Sequence, residues 1–292
     1  MQFELMDSIP VHNLLGEGIV WNHRSGCAWW TDIHGCRIYR YRLADRSLAT
    51  WPTPERLGCF GFVDGDEQIV AAFASGIALF RPQTGERQWL WRPEEGGTGN
   101  RFNDGRVDRQ GRFWAGTMVE DESRSTRPAG LYCLHSRACR LRELRISNGL
   151  CWSPDSSRMY HADSARRQIS VYDFDPDTGR VANGRPFART ADSACPDGAT
   201  VDAQGYLWSA HWGGSRIVRY APDGSEDTLL HLPVSQPSCV AFGGRDFNLL
   251  FVTSAREGLS TQQLRSQPHS GNLLIYRTPY RGLPESFATP LG

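Results

Sequence analysis

The sequence predicts an all-β fold, a six-bladed β-propeller with four antiparallel strands in each blade, and two observations support this prediction. A unit of about 45 residues recurs six times along the 292-residue chain. Each unit contains short apolar or aromatic runs separated by turns rich in Gly, Asp, Asn and Ser, which is the spacing of a β-meander. Radial repetition of such units is typical of a propeller, because it leaves only short sheet edges exposed. We therefore expect residues 1–292 to form a single domain.

The turn after the first strand of each unit sets the alignment, and these turns fall at 22–26, 64–67, 108–111, 153–157, 202–205 and 243–246. Second strands are predicted at 27–33, 68–73, 112–117, 158–164, 206–212 and 248–255. Third strands follow at 36–43, 76–82, 130–134, 168–174, 216–222 and 272–277. Outer strands are predicted at 47–53, 87–93, 140–146, 185–190 and 227–233. The sixth unit has no obvious outer strand, so we expect residues 3–9 to supply it and to close the ring.

Composition excludes several functional classes. The hydrophobic fraction is 39% and the formal net charge is zero, so no basic or acidic surplus indicates binding to nucleic acid or to a membrane surface. The sequence contains no lysine, which excludes Schiff-base chemistry, pyridoxal phosphate enzymes and a P-loop. Residues 1–20 lack the pattern of a signal peptide and no apolar run is long enough to span a membrane, so we expect a cytoplasmic protein.

Six positions in the same register are predicted to meet at one mouth of the central channel. The first strand of each propeller blade lines this channel, and these positions lie five residues before the aligned turns: Glu17, Cys59, Asn103, Asn148, Asp197 and Ser238. A glycine follows three of them, at Glu17, Asn148 and Asp197. Because glycine tolerates unusual dihedral angles and close backbone approach, this context favours a built site.

The polar members of this set indicate a metal site. Two carboxylates and two amides that converge in a narrow channel would lose hydration and repel one another unless a cation compensated their charge. An all-oxygen donor set favours Ca²⁺, Mg²⁺ or Mn²⁺, while Zn²⁺ and Fe²⁺ stay open because carboxylates also bind softer ions. The alternative is a channel lined by polar side chains that bind only water.

Longer motifs make the chain recognisable across residues 14–278. It resembles the SMP-30/gluconolactonase/regucalcin-like family of six-bladed propellers, and its bacterial sugar-lactonase branch in particular. Six segments carry the resemblance: LGEGIVW (15–21), NRFNDGRVDRQGRFWAGTM (100–118), SNGLCWSPD (147–155), PDGATVDAQGYLW (196–208), WGGSRIVRYAPDG (212–224) and CVAFGGRDFNLLFVTSA (239–255).

The resemblance implies a hydrolase that uses one divalent metal ion to open a sugar lactone to its aldonic acid. By position, Glu17, Asn148 and Asp197 look like the metal ligands, and these are three of the residues that the register brings together. Glucono-, xylono-, arabinono- and galactono-lactones all remain open as substrates. The implied partner is therefore a small sugar lactone, with no nucleic acid and no membrane, and we expect a monomer or a weak homo-oligomer.

The same resemblance implies roles for three further residues, and reasoning about the mechanism adds a second role for Asp197. Arg101 looks like a donor to substrate oxygens, Asn103 like a substrate contact that also approaches the metal, and Glu120 like an acidic substrate-side contact. Asp197 is the candidate general base, since it would hold a water within hydrogen-bond reach beside the cation. Ile19 departs from the proline common at its position, and the segments 121–130 and 256–274 receive no role.

Two other functions remain as alternatives. One is a paraoxonase-like esterase or phosphotriesterase, and the other is a non-catalytic calcium-binding propeller that contacts a protein partner. Among the aromatic residues, Trp212 and the other strand tryptophans are expected to pack between blades. Among the histidines near second-strand ends, His211 is the one expected to face the channel mouth.

Overall fold

Six antiparallel sheets of four strands each follow one another along residues 3–64, 67–97, 99–191 and 193–289, the part of the chain that this computed structural model describes. Residues 65 and 66 of the predicted turn 64–67 lie outside that part. The sheets have consecutive strand order except for the last one. The predicted six-bladed propeller is confirmed.

The first three blades take their strands in chain order after β1 (Glu4–Ile9). Blade 1 contains β2 (Gly16–Asn22), β3 (Cys27–Asp32), β4 (Arg37–Arg42) and β5 (Leu48–Pro52). Blade 2 contains β6 (Leu57–Asp64), β7 (Gln68–Phe73), β8 (Gly76–Arg81) and β9 (Glu86–Trp91). Blade 3 contains β10 (Asn100–Val107), β11 (Phe113–Val119), β12 (Ala129–Cys133) and β13 (Ala138–Leu144).

The remaining blades continue the same pattern. Blade 4 contains β14 (Ser147–Trp152), β15 (Arg158–Asp163), β16 (Gln168–Asp175) and β17 (Arg180–Arg189). Blade 5 contains β18 (Cys195–Val201), β19 (Leu207–Trp212), β20 (Arg216–Tyr220) and β21 (Glu226–His231). Blade 6 contains β22 (Pro237–Gly243), β23 (Leu249–Ser254) and β24 (Leu273–Arg277). Helical structure among the described residues is limited to a 3-10 turn at Ser164–Arg166 and the helix α1 at Thr261–Ser266, and neither is long enough to cross a membrane.

The N-terminal strand closes the ring as predicted. Strand β1 pairs antiparallel with β24, so it becomes the outer strand of blade 6 although it lies at the opposite end of the chain. Closure of the ring covers the two blade faces that an open row of blades would expose. The chain therefore joins its first and last blades by backbone hydrogen bonds.

Hydrophobic packing occurs between blades. Six separate clusters of buried side chains each join one blade to the next, for example Trp29 of blade 1 with Phe60 and Phe62 of blade 2. The innermost strands β2, β6, β10, β14, β18 and β22 contact one another in a closed ring around the channel. The ring of strands fixes where their side chains can meet.

A β-bulge near the start of the innermost strand recurs in each of the six blades. In blades 1 and 4 the bulge contains Gly18 (φ 58°) and Gly149 (φ 59°), in the left-handed region that favours glycine. A bulge bends its strand and redirects the neighbouring side chains. This geometry explains why glycine follows Glu17 and Asn148 in the sequence.

At the other end of the innermost strands, buried aspartates organise the turns. The Asp202 carboxylate accepts two backbone N–H groups of its own turn and also accepts Trp208 Nε1 at 2.9 Å. Asp108 accepts two N–H groups of its turn and Trp114 Nε1 at 2.9 Å in the same way. The Asp turn therefore fixes both the hairpin and the tryptophan at the second position of the following strand.

Residues 278–289 form a strap across this second mouth of the channel. The strap hydrogen-bonds to Phe247, Ala203, Gly111 and Phe62, which belong to four different blades. Glu285 of the strap pairs with Arg106 Nη1 at 3.4 Å, and both side chains are almost buried. The strap closes the mouth that lies opposite the bulges.

The Arg106–Glu285 pair gives a first prediction. Glu285→Gln should lower the free energy of unfolding by about 3 kcal/mol, because Arg106 would remain buried without a carboxylate partner. Chemical denaturation measures this loss. The matched control is Asp173→Asn, which breaks the half-exposed pair with Arg185 and should cost much less stability than Glu285→Gln. Equal losses in the two variants would contradict the stabilising role of the strap.

Candidate metal centre and active site

A cavity of about 270 Å³ opens at the bulge end of the channel. Its polar wall comprises Glu17, Asn103, Asn148, Ser164, Asp197 and Glu257. Its apolar wall includes Leu15, Met118, Ile146 and Trp212. A mostly apolar pocket with a few convergent polar groups is the usual form of a small-molecule site.

The structure brings the three predicted ligands into this one cavity. Glu17 comes from β2, Asn148 from β14 and Asp197 from β18, each at the bulge of its strand, and each is more than 90% buried. Of the three other residues of the predicted set, Asn103 also lines the cavity, whereas Cys59 and Ser238 do not. Cys59 packs between blades 2 and 3, and the Ser238 hydroxyl donates to the Gly16 carbonyl.

Burial governs the charge state of the two carboxyl groups. Desolvation, followed by the nearby Asp104 charge, raises the pKa of Glu17 from 4.5 to about 8. Desolvation, followed by the charges of Glu17 and Asp104, raises the pKa of Asp197 well above its ordinary 3.8. Without a cation, the raised pKa values therefore favour the protonated forms of Glu17 and Asp197. A nearby cation would favour the ionised carboxylates instead. A bound divalent cation would supply the missing positive charge.

The donor set fits a divalent cation. Glu17 and Asp197 offer carboxylate oxygens and Asn148 offers its amide Oδ1, which is an all-oxygen set suited to hard ions. Among the described residues no group of three His, Cys, Asp or Glu side chains could hold a metal, and the cavity offers the Asn148 amide oxygen beside the two carboxyl groups. The cavity leaves room beside these side chains for substrate or water.

A hydrogen-bonded chain of side chains runs from blade 3 into this donor set. Arg101 Nη1 donates to Asn103 Oδ1 at 2.8 Å, and Asn103 Nδ2 donates to Asn148 Oδ1 at 2.9 Å. Asn103 Nδ2 also donates to the Ser147 carbonyl at 3.1 Å. Asn103 therefore lines the cavity and contacts the predicted ligand Asn148 directly.

Glu120 lies one step farther from the cavity. Its carboxylate accepts a hydrogen bond from Arg101 Nε at 2.9 Å. It also accepts hydrogen bonds from Nη1 and Nη2 of Arg56, at 2.5 and 2.8 Å. Burial acts to raise the pKa of Glu120, but hydrogen bonds and charge from Arg56 and Arg101 outweigh it and lower that pKa. Glu120 therefore holds the guanidinium of Arg101 in place, and neither side chain belongs to the cavity wall.

Several residues of the cavity escaped the sequence reasoning. Trp212 packs against the buried cluster of Leu15, Ile33 and Ala255, as expected of a residue between blades, and it also lines the cavity together with Glu257. The expectation for His211 was wrong, since it is fully buried and its ring hydrogen-bonds to Arg216 and Tyr220. The histidine near the mouth is His34, whose Nε2 lies 3.1 Å from Glu257. Ser164 had no sequence signal beyond its place after β15.

Comparisons with known proteins agree with the fold and identify the family. The family model for the SMP-30/gluconolactonase/LRE-like region matches residues 15–256. An L-arabinolactonase of Azospirillum brasilense is 40% identical over 93% of this chain and 91% of its own length. A 6-deoxy-6-sulfogluconolactonase of Pseudomonas putida is 38% identical over 94% of both chains.

Among solved structures, the crystal structure of a calcium-binding protein, regucalcin from Agrobacterium tumefaciens strain C58, superposes with a TM-score of 0.90. It is 28% identical and covers 97% of each chain. A gluconolactonase of Xanthomonas campestris superposes with a TM-score of 0.73 at 21% identity over 94% of this chain and 91% of that protein, which supports the fold alone.

The raised carboxyl pKa values give a prediction for the metal-free protein. Folded Glu17 keeps its proton up to about pH 8, whereas unfolded Glu17 loses it near pH 4.5. Folding therefore binds a proton in this interval, and stability falls as pH rises through it. With a chelator present, the melting temperature of the wild type should fall more steeply between these pH values than that of Glu17→Gln.

Added Mn²⁺ should reverse the trend, with a gain in melting temperature that grows with pH because deprotonated ligands bind the cation. Thermal denaturation across this pH range measures both effects. Parallel curves for the wild type and Glu17→Gln, with a cation effect independent of pH, would show that Glu17 is neither perturbed nor a ligand.

Proposed function

The chain belongs to the SMP-30/gluconolactonase/LRE-like family, and on that premise we propose that it uses a divalent metal ion to hydrolyse a sugar lactone to the aldonic acid. It is a lactone-hydrolysing enzyme, a carboxylic-ester hydrolase, as its full-length similarity to two lactonases supports. The observation that best supports metal dependence is the convergence of Glu17, Asn148 and Asp197 in one cavity.

The proposed ligands are these three side chains. A bound divalent cation supplies Lewis acidity at the lactone carbonyl and charge stabilisation for the developing oxyanion. Ca²⁺, Mg²⁺, Mn²⁺, Zn²⁺ and Fe²⁺ are all candidates, because the donor set favours hard ions without excluding softer ones. A bound cation would compensate the negative charge of the Glu17 and Asp197 carboxylates. Without it, burial favours the protonated form of both groups.

The proposed general base is Asp197. Its carboxylate faces the cavity and would take a proton from the water that attacks the acyl carbon. As the ring C–O bond breaks, that proton would go to the departing ring oxygen and leave it as a hydroxyl. The products are then the free hydroxyl and the carboxylic acid of the aldonic acid, which ionises in solution.

The proposed substrate-positioning group is the Arg101–Asn103 pair. Glu120 and Asn103 fix Nε and Nη1 of Arg101, while Nη2 has no hydrogen-bond partner among the described residues. A planar guanidinium held on two sides keeps its remaining donor in a fixed direction, which suits adjacent sugar oxygens. Trp212 and Met118 add apolar area against which a sugar ring could lie.

An assay of substrate classes tests the proposed function. Purified protein should hydrolyse pentono- or hexono-lactones with Mn²⁺ or Ca²⁺ present and should lose that activity with a chelator. Aryl esters, phosphotriesters and a buffer-only reaction serve as controls, with proton release followed in a weakly buffered medium. Faster turnover of aryl esters or phosphotriesters than of any lactone would favour the esterase, and no turnover at all would favour a binding module.

Two variants test the assigned roles separately. Asp197→Ala should reduce hydrolysis to background and weaken metal binding, since it removes both a ligand and the proposed base. Arg101→Ala should lower kcat/KM by about 100-fold while the metal content stays near that of the wild type. Steady-state kinetics and metal analysis of the same preparations measure both effects. Full activity in Asp197→Ala, or loss of metal in Arg101→Ala, would refute the respective assignment.

A further inference from the structure

Ser164 occupies a position between two of the proposed ligands. It is the first residue of the 3-10 turn that follows β15, it is 6% exposed, and it lines the cavity. Its hydroxyl donates to the carbonyl of Pro196 at 2.6 Å. The hydroxyl oxygen of Ser164 also lies 2.8 Å from Asn148 Nδ2. One hydroxyl thus joins the side chain of Asn148 in blade 4 to the residue before Asp197 in blade 5.

The chemistry of these contacts fixes the direction of each hydrogen bond. A carbonyl can only accept, so the single hydrogen of Ser164 is committed to Pro196. The Ser164 oxygen must then accept from its other neighbour, which requires the NH₂ group of Asn148 on that side. The amide oxygen of Asn148 must consequently lie on the opposite side of the side chain.

The other side of Asn148 independently requires the same orientation. A guanidinium can only donate, so Arg101 fixes Oδ1 of Asn103 toward itself, and the Ser147 carbonyl requires Nδ2 of Asn103. That Nδ2 donates to Asn148 Oδ1 at 2.9 Å. A flipped Asn148 would place two NH₂ groups against each other and two acceptors against each other, which leaves buried polar groups unpaired.

We propose that Ser164 is a positioning residue that fixes the amide of Asn148 with its oxygen available to the metal ion and sets the spacing between Asn148 and the strand of Asp197. This inference rests on the proposed metal centre and extends it to a residue that is not itself a ligand. Residues that orient ligands commonly change metal affinity by about 10- to 100-fold when they are lost.

Isothermal titration of the apoprotein with Mn²⁺ and with Ca²⁺ tests the proposal. Ser164→Ala should bind either ion about 10- to 100-fold more weakly than the wild type. Ser164→Thr keeps the hydroxyl and should bind within a few-fold of the wild type. If Ser164→Ala does not fold, Ser164→Cys keeps the size of the side chain but donates weakly, and it should show the same loss.

The matched control is Ser153→Ala. Ser153 directly follows β14 at the far end of the channel, is 7% exposed, and also makes two close hydrogen bonds through its hydroxyl. Its loss should leave metal affinity unchanged even if stability falls. Circular dichroism and the melting temperature of every variant separate a folding defect from a change in affinity.

The outcomes distinguish the two levels of inference. Absence of cation binding by the wild type overturns the proposed metal centre and the role of Ser164 with it. Normal binding by the wild type together with unchanged affinity in Ser164→Ala overturns the role of Ser164 and leaves the metal centre standing. Weaker binding in Ser164→Ala, with near-normal binding in Ser164→Thr and in Ser153→Ala, supports the proposal. Equal weakening in Ser153→Ala would overturn it.

Discussion

The burial of two carboxyl groups at one mouth of the channel is the constraint on which the rest of the site depends. Ring closure brings Glu17 of blade 1 and Asp197 of blade 5 together where water cannot fully solvate them. Such a pair is costly without a compensating charge. The neighbours are consistent with a cation in that role, because the third donor, Asn148, is a neutral amide and the charge of Arg101 is already paired with Glu120.

Further buried charges continue along the channel from this pair, first a third acidic group and then an ion pair. Asp104 lies within electrostatic range of Glu17, and burial raises its pKa while the charge of Arg106 acts against that rise. Arg106 is in turn paired with Glu285 of the strap. The positive charge of Arg106 interacts favourably with both Asp104 and Glu285. The strap therefore belongs to the electrostatics of the channel as well as to its mechanical closure.

The sequence was sufficient for the fold and for the register of the candidate ligands, because both depend on a pattern that repeats in every blade. It was insufficient where a side chain depends on one loop or one step of strand register. Adjacent residues of a strand point to opposite faces, so a displacement of one residue separates the buried His211 from Trp212 in the cavity wall. Ser164 reaches Asn148 and Pro196 through a 3-10 turn, and no periodic pattern encodes that turn.

The recurrent bulge has a consequence for how such a protein can change. Four blades place a side chain from this part of the innermost strand in the cavity wall, while hydrogen bonding between strands holds the backbone there. The mouth is therefore built from equivalent positions of one strand arrangement that repeats in each blade. At the corresponding positions of blades 2 and 6, Cys59 and Ser238 are fully buried and lie outside the cavity wall. New selectivity for an ion or a sugar could therefore arise by exchange of single residues, without any redesign of the scaffold.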